Sequence, residues 1–118
     1  MLKRQFRFHG INSLSWTYKH SRSIRNNYYT LRYSNNQKTK QFKVAIVVSR
    51  KVSKSAVTRN LIRRRFYEVV GGVKEGIKNN TDLIFVVQNV EVVNLPFEEL
   101  TQLINKSIIE SGVLQKQS

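Results

Sequence analysis

The chain has no cysteine, one proline, one tryptophan and two histidines, and its first acidic residue is Glu68. Without cysteine, disulfides and thiolate metal sites are excluded, and His9 and His20 are too few to build a zinc site, so zinc is not expected. No apolar run approaches the length of a membrane span, and the N-terminal MLKRQFRFHG has bases where a signal peptide needs an apolar stretch. The expected location is cytoplasmic, with no membrane partner. Chemistry is also scarce. There is no HExxH, no phosphate-cradling glycine loop and no Ser, His, acid arrangement, and the acid-free half offers no carboxylate as general base or metal ligand. Catalysis by the protein itself is not expected, and the two histidines read as passive.

What is present is positive charge, unevenly placed. Residues 1–67 carry seventeen Lys and Arg and no acid, +17, whereas residues 68–118 carry four Lys against seven acids, −3. A segregated field of this kind attracts phosphate chains and drives salt-dependent association, so nucleic acid is the expected partner. At 118 residues and 40% apolar content the chain can bury one core. Residues 1–118 read as a single RNA-binding domain, with a mobile basic leader over 1–8 and a frayed tail over 112–118; no protein partner is predicted.

The element order expected is helix, strand, strand, helix, strand, helix. GINSLSWTYKHS, Gly10 to Ser21, has a capping residue and helical spacing; YYTLRY, Tyr28 to Tyr33, alternates as a two-faced strand. SNNQKTKQ is turn chemistry and suggests an antiparallel pairing of that strand with FKVAIVVS, Phe42 to Ser49, whose β-branched run predicts a central strand covered on both faces. DLIFVVQ, Asp82 to Gln88, is a second buried-type strand, and Pro96 to Ser111 a closing helix with Glu98 and Glu99 in its first turn and Leu100, Leu103, Ile104 and Ile108 as its apolar stripe. The fold class is α+β, an α/β sandwich: a small mixed sheet packed by helices, with a βαβ crossover.

The crossover helix is the centre of the sequence. From Ser49 to Glu68, SRKVSKSAVTRNLIRRRFYE, seven of twenty residues are Lys or Arg. A helix from Ser55 or Ala56 to the double glycine Gly71-Gly72 places Phe66, Val69, Val70 and Val73 within about 80° of Ile62, a core-facing stripe. Asn60, Arg63, Arg64 and Tyr67 fall on the opposite side, and Arg59 and Arg65 flank the stripe. With Arg50, Lys51 and Lys54 just ahead of the helix, Arg59, Asn60, Arg63, Arg64 and Tyr67 form the expected RNA-binding set. A second set mixes aromatic and basic groups: Trp16, Tyr18, Tyr29 and Tyr33, with Lys19, Arg22, Arg25 and Arg32 among them, suit stacking of unpaired bases along a charged track. Tyr29, Leu31 and Tyr33 fit a core face equally well.

The run VSRKVSKSAVTRNLIRRRFYE resembles the signature of the bacterial ribonuclease P protein subunit, a strand ending in a Val-Ser-Lys-Lys-like segment that leads into an Arg-Asn-Arg helix. LSWTYKHS with the aromatic strand, and DLIFVVQN with the Pro96 helix, are similar to the family's flanking elements in the same order. The resemblance implies a left-handed βαβ crossover and a protein that assists, without performing, endonucleolytic removal of the 5′ leader from precursor tRNA. The implied partners are a catalytic RNA and precursor tRNA, and the implied cofactor is Mg2+ held mainly by the RNA. It assigns Arg50, Lys51, Arg59, Asn60, Arg63 and Arg64 to the catalytic RNA, and Tyr18 with the aromatic strand (Tyr29, Arg32, Tyr33) to a cleft for the leader, which Trp16 of the first helix is expected to join. Leu61 and Tyr67 depart from the pattern by standing where arginines are usual, and Arg65 adds charge on another side of the helix. The alternative is a ribosomal or other structural RNA-binding protein with no role in cleavage, which the charge and the missing active site fit as well. A nuclease acting through His9 or His20 is disfavoured.

Overall fold

The structure is a computed structural model that describes residues 21–35 and 41–112. Four strands, β1 (Arg22–Arg25), β2 (Tyr29–Asn35), β3 (Lys43–Val48) and β4 (Thr81–Val87), form one sheet in the order β1-β2-β4-β3. Helices α1 (Ala56–Gly72) and α2 (Phe97–Ser111) supply the helical layer, and short 3-10 turns occupy Lys74–Gly76 and Val90–Asn94. β1 and β2 pair antiparallel, as do β2 and β4, while β3 and β4 run parallel with α1 as their crossover. The expected α+β architecture and its strand, basic helix, strand unit are therefore present. Most of the short helix expected over Gly10–Ser21, the leader and the tail lie outside the described residues.

Three expectations about the sheet need correction. Phe42 to Ser49 was expected to hold a central strand, but β3 is an edge strand: Val44, Ile46 and Val48 are buried while Lys43, Ala45 and Val47 are half-buried. Its alternation is hidden in the sequence because both faces are apolar, and a β-branched run reports β propensity rather than the number of neighbours. The central position belongs to β4, in which six of seven residues are buried. β2 and β3 are not a hairpin pair either, because β4 lies between them, antiparallel to one and parallel to the other. Finally, β1 was not anticipated. Its four residues hold a single apolar side chain, Ile24, too few for an alternation to show. The β1–β2 turn is fixed instead by Asn26, whose Oδ1 accepts the N–H groups of Tyr28 at 2.8 Å and Tyr29 at 3.0 Å.

The core lies between the sheet and the helices. α1 turns Ile62, Phe66, Val69 and Val70 inward, and α2 turns Leu100, Ile104 and Ile108. At the centre Tyr29, Phe66 and Phe85 meet edge to face, with ring centroids 5.3 to 5.5 Å apart. The Tyr29 hydroxyl reaches α2, where it lies 2.7 Å from Ser107 Oγ and donates to the Leu103 carbonyl at 3.2 Å. β2 is thereby tied to α2 by a polar contact within an apolar core. Both helices stop where the sequence indicates: α1 at its double glycine and α2 at Gly112, whose φ of 75° is the left-handed cap conformation that glycine adopts without strain.

Candidate nucleic-acid interface

The segment from Ser49 to Ser55 has to turn the chain from the end of β3 into α1, and short-range polar contacts hold it. Val52 N–H and Ser53 N–H both donate to the Ser49 carbonyl, at 3.1 and 3.4 Å. Ser55 caps the helix by accepting the Thr58 N–H at 3.2 Å, and its own N–H donates to Ser53 Oγ at 3.2 Å. Arg59 reaches back one turn and donates to the Ser53 carbonyl at 2.8 Å. Val52 packs against the core as an apolar anchor. Because backbone and anchor are occupied inward, Arg50, Lys51 and Lys54 are left exposed.

Those three cations, with Ala56 and Arg59, line an open hollow of about 620 Å³ at the start of α1. The first turn of α1 has no acid to answer the positive end of the helix dipole. Cations and dipole act in the same sense, so the hollow suits a phosphate group. Onward from Arg59, Asn60 and Arg64 are exposed and Arg63 is half-exposed, its guanidinium donating to Asn60 Oδ1. That bond orients the Arg63 side chain along the helix surface. Tyr67, at the far end of the same face, is half-buried with its ring against the core. Sequence spacing and structure thus bring Arg50, Lys51, Lys54, Arg59, Asn60, Arg63, Arg64 and Tyr67 onto one loop and one helix side.

Arg65 is different from its neighbours. It turns toward the connection between β4 and α2 and donates to three carbonyls: Val92 at 3.1 Å, Val93 at 2.7 Å and Leu95. The charge it adds to the helix is spent within the protein. Helical angle alone placed it beside the core stripe, but nothing in the sequence marks which backbone it would reach.

Of the expected aromatic set, the two tyrosines among the described residues, Tyr29 and Tyr33, turn to the core. Tyr29 is fully buried in the core and is closed to any base, which removes it as a stacking residue. Side chains alternate along a strand, so Tyr29, Leu31 and Tyr33 point to the helical side of the sheet and Arg32 to the other. Tyr33 accordingly packs against the core, whereas Arg32 is half-buried on the opposite face and donates to Ser21 Oγ at 3.5 Å. Trp16 and Tyr18 lie outside the described residues. On the Arg32 face the register adds an exposed Arg25 opposite Thr30, and Thr30 Oγ1 in turn donates to Gln88 Oε1 at 3.2 Å. The sequence grouped Arg25 with Arg32 by composition, and the β1–β2 register is what puts both on one sheet face.

Burial is the main cause that pushes the Tyr29 hydroxyl above its ordinary tyrosine range, with the nearby Glu110 carboxylate acting in the same direction and the bonds to Ser107 and Asn26 opposing it. Among the described residues no three His, Cys, Asp or Glu side chains come together as a metal site, and no helix is long and apolar enough to cross a membrane.

The family model for ribonuclease P matches residues 2–111. A curated relative, the ribonuclease P protein component of Roseiflexus sp. (strain RS-1), is 35% identical over 60 residues, which is 51% of this chain and 49% of that protein, so the match spans about half the relative's length. Among solved structures, the fold is similar to the RNase P protein of Staphylococcus aureus, with a TM-score of 0.81 and 22% identity over 93% of this chain and 98% of that one. It is also similar to the RNase P protein of Thermotoga maritima in complex with 1-(4-fluorophenyl)-2-thiourea, with a TM-score of 0.69 and 22% identity over 80% and 91% of the two chains.

Proposed function

Since this chain belongs to the ribonuclease P protein family, we propose that it is the protein subunit of that ribonucleoprotein: it binds the catalytic RNA and the 5′ leader of precursor tRNA and assists endonucleolytic removal of the leader. The observation that carries this reading is the continuous cationic surface from the hollow of Arg50, Lys51, Lys54 and Arg59 onto Asn60, Arg63 and Arg64 of α1. Such a surface recognises phosphate spacing rather than one small anion, because its charges follow a loop and two helical turns.

In this reading the protein contributes binding and orientation, and the RNA carries the chemistry. Mg2+ belongs with the RNA as well. The hollow is lined by four cations and an alanine, a donor set that repels a hard divalent cation and does not fit it. Arg25 and Arg32, on the sheet face away from the helices, supply cations for a single-stranded leader, while the burial of Tyr29 leaves base stacking to other residues.

The test is multiple-turnover cleavage of a leader-bearing precursor tRNA at low Mg2+ by a ribonuclease P RNA, with and without the protein, and by the protein alone. Efficient cleavage only when both are present is the expected result. Tight RNA binding without stimulation of cleavage would instead support a structural RNA-binding role.

A further inference from the structure

Of the four arginines on α1, Arg59 is held by the Ser53 carbonyl of the loop that leads into the helix, and Arg65 by backbone distant in sequence, beyond β4. Nη1 serves Val92 and Val93, and Nη2 serves Leu95. These carbonyls close the C-terminal end of the 3-10 turn Val90–Asn94, directly before Pro96 and the start of α2. A planar guanidinium can reach three divergent acceptors at once; a lysine ammonium, a single nitrogen on a flexible four-carbon stem, cannot hold the same fork.

Apart from the Ser55 cap and the Arg59 bond to Ser53 at its start, the rest of the seat of α1 is apolar. Ile62, Phe66, Val69 and Val70 fix its distance from the sheet, but burial is non-directional and tolerates small rotations about the helix axis. Rotation matters at the opposite face. Turning the helix by about 20° moves a side-chain group at a radius of ~6 Å through about 2 Å, enough to break a phosphate hydrogen bond. We propose that Arg65 is a positioning residue for RNA recognition: by clasping the β4–α2 connection it sets the rotation of α1, and with it the aim of Asn60, Arg63 and Arg64. The inference rests on the RNA-binding role proposed above. It assigns Arg65 no contact with RNA.

The experiment compares the parent protein with Arg65→Lys, Arg65→Gln and, as a control for loss of one exposed charge away from that face, Lys106→Gln on α2. Dissociation constants for a ribonuclease P RNA are measured at several salt concentrations, at a temperature where circular dichroism shows each variant native. Hydrogen exchange of residues 92–95 is followed in the free proteins. Arg65→Lys, although it keeps the charge, is expected to bind RNA about tenfold more weakly and to exchange faster over 92–95. Arg65→Gln should match it, and Lys106→Gln should stay within about threefold of the parent. Parental RNA affinity in Arg65→Lys, with only a lowered melting temperature, would overturn the inference and leave Arg65 a stabilising residue. Loss in Arg65→Gln that Arg65→Lys restores, together with a salt slope lower by about one, would also overturn it in favour of a direct phosphate contact. Absence of RNA binding by the parent would instead overturn the underlying RNA-binding role, and this inference with it.

Discussion

Tyr29 and Arg65 show how a single side chain departs from the role its type suggests. A tyrosine among bases reads as a stacking platform, yet Tyr29 has no exposed surface, and its hydroxyl is occupied by Ser107 and Leu103 of α2. Tyr29→Phe should therefore lower stability by about 1 kcal/mol, the net worth of a buried hydrogen bond, and lower Tm by about 4 °C, while RNA affinity at 25 °C stays at the parental value. Titration adds a second readout. Because burial raises the folded pKa above the ordinary tyrosine value of 10.0, the contribution of Tyr29 is fully present below pH 10 and is lost as pH rises through the raised folded value. Urea midpoints taken at intervals from pH 9 to 11 should fall more steeply for the parent than for Tyr29→Phe. Equal slopes would show that Tyr29 ionises as freely in the folded state as in the unfolded one. In the sequence, the alternation of Tyr29, Leu31 and Tyr33 was compatible with core and with cleft; only the helices packed on that face decide between them.

At the scale of elements, legibility followed the strength of the local signal. α1 was readable end to end because a 3.6-residue apolar stripe, a serine cap and a terminal double glycine agree. α2 was readable for similar reasons. Strand order was not, since pairing is a long-range property: β3 carries its own propensity but nothing that says its partner is a segment more than thirty residues later. The basic set on α1 and the loop before it was legible because charge and helical angle together define a face. The destination of Arg65 was not, as it depends on how the β4–α2 connection folds back. The cap offers a prediction at this scale. Ser55→Ala removes the acceptor for the Thr58 N–H and should cost about 1 kcal/mol, seen as a lowered thermal midpoint by circular dichroism. It should also weaken RNA binding, because the same turn shapes the hollow; a stability loss with unchanged RNA affinity would show that the hollow holds its form without the cap.

For the whole molecule the deciding quantity is the charge map. The +17 half contributes β1, β2, β3 and most of α1, and the −3 half contributes β4 and α2, so the two halves interleave in space rather than forming two lobes. RNA affinity should consequently fall steeply with salt. Converting both Lys51 and Lys54 to Gln should reduce the magnitude of the log–log salt slope by about 1.5 to 2, with little change in Tm because both side chains are exposed. An unchanged slope would place the phosphate contacts elsewhere on the surface.

The central position of β4 has one more consequence, for the order of events during synthesis. β1, β2, β3 and α1 all leave the ribosome before β4, yet β2 and β3 have no sheet contact with each other until β4 enters between them. A nascent chain that ends before Thr81 therefore holds its arginines on a helix with no completed sheet beneath it. The seating of α1 on a continuous sheet is coupled to the arrival of the last strand.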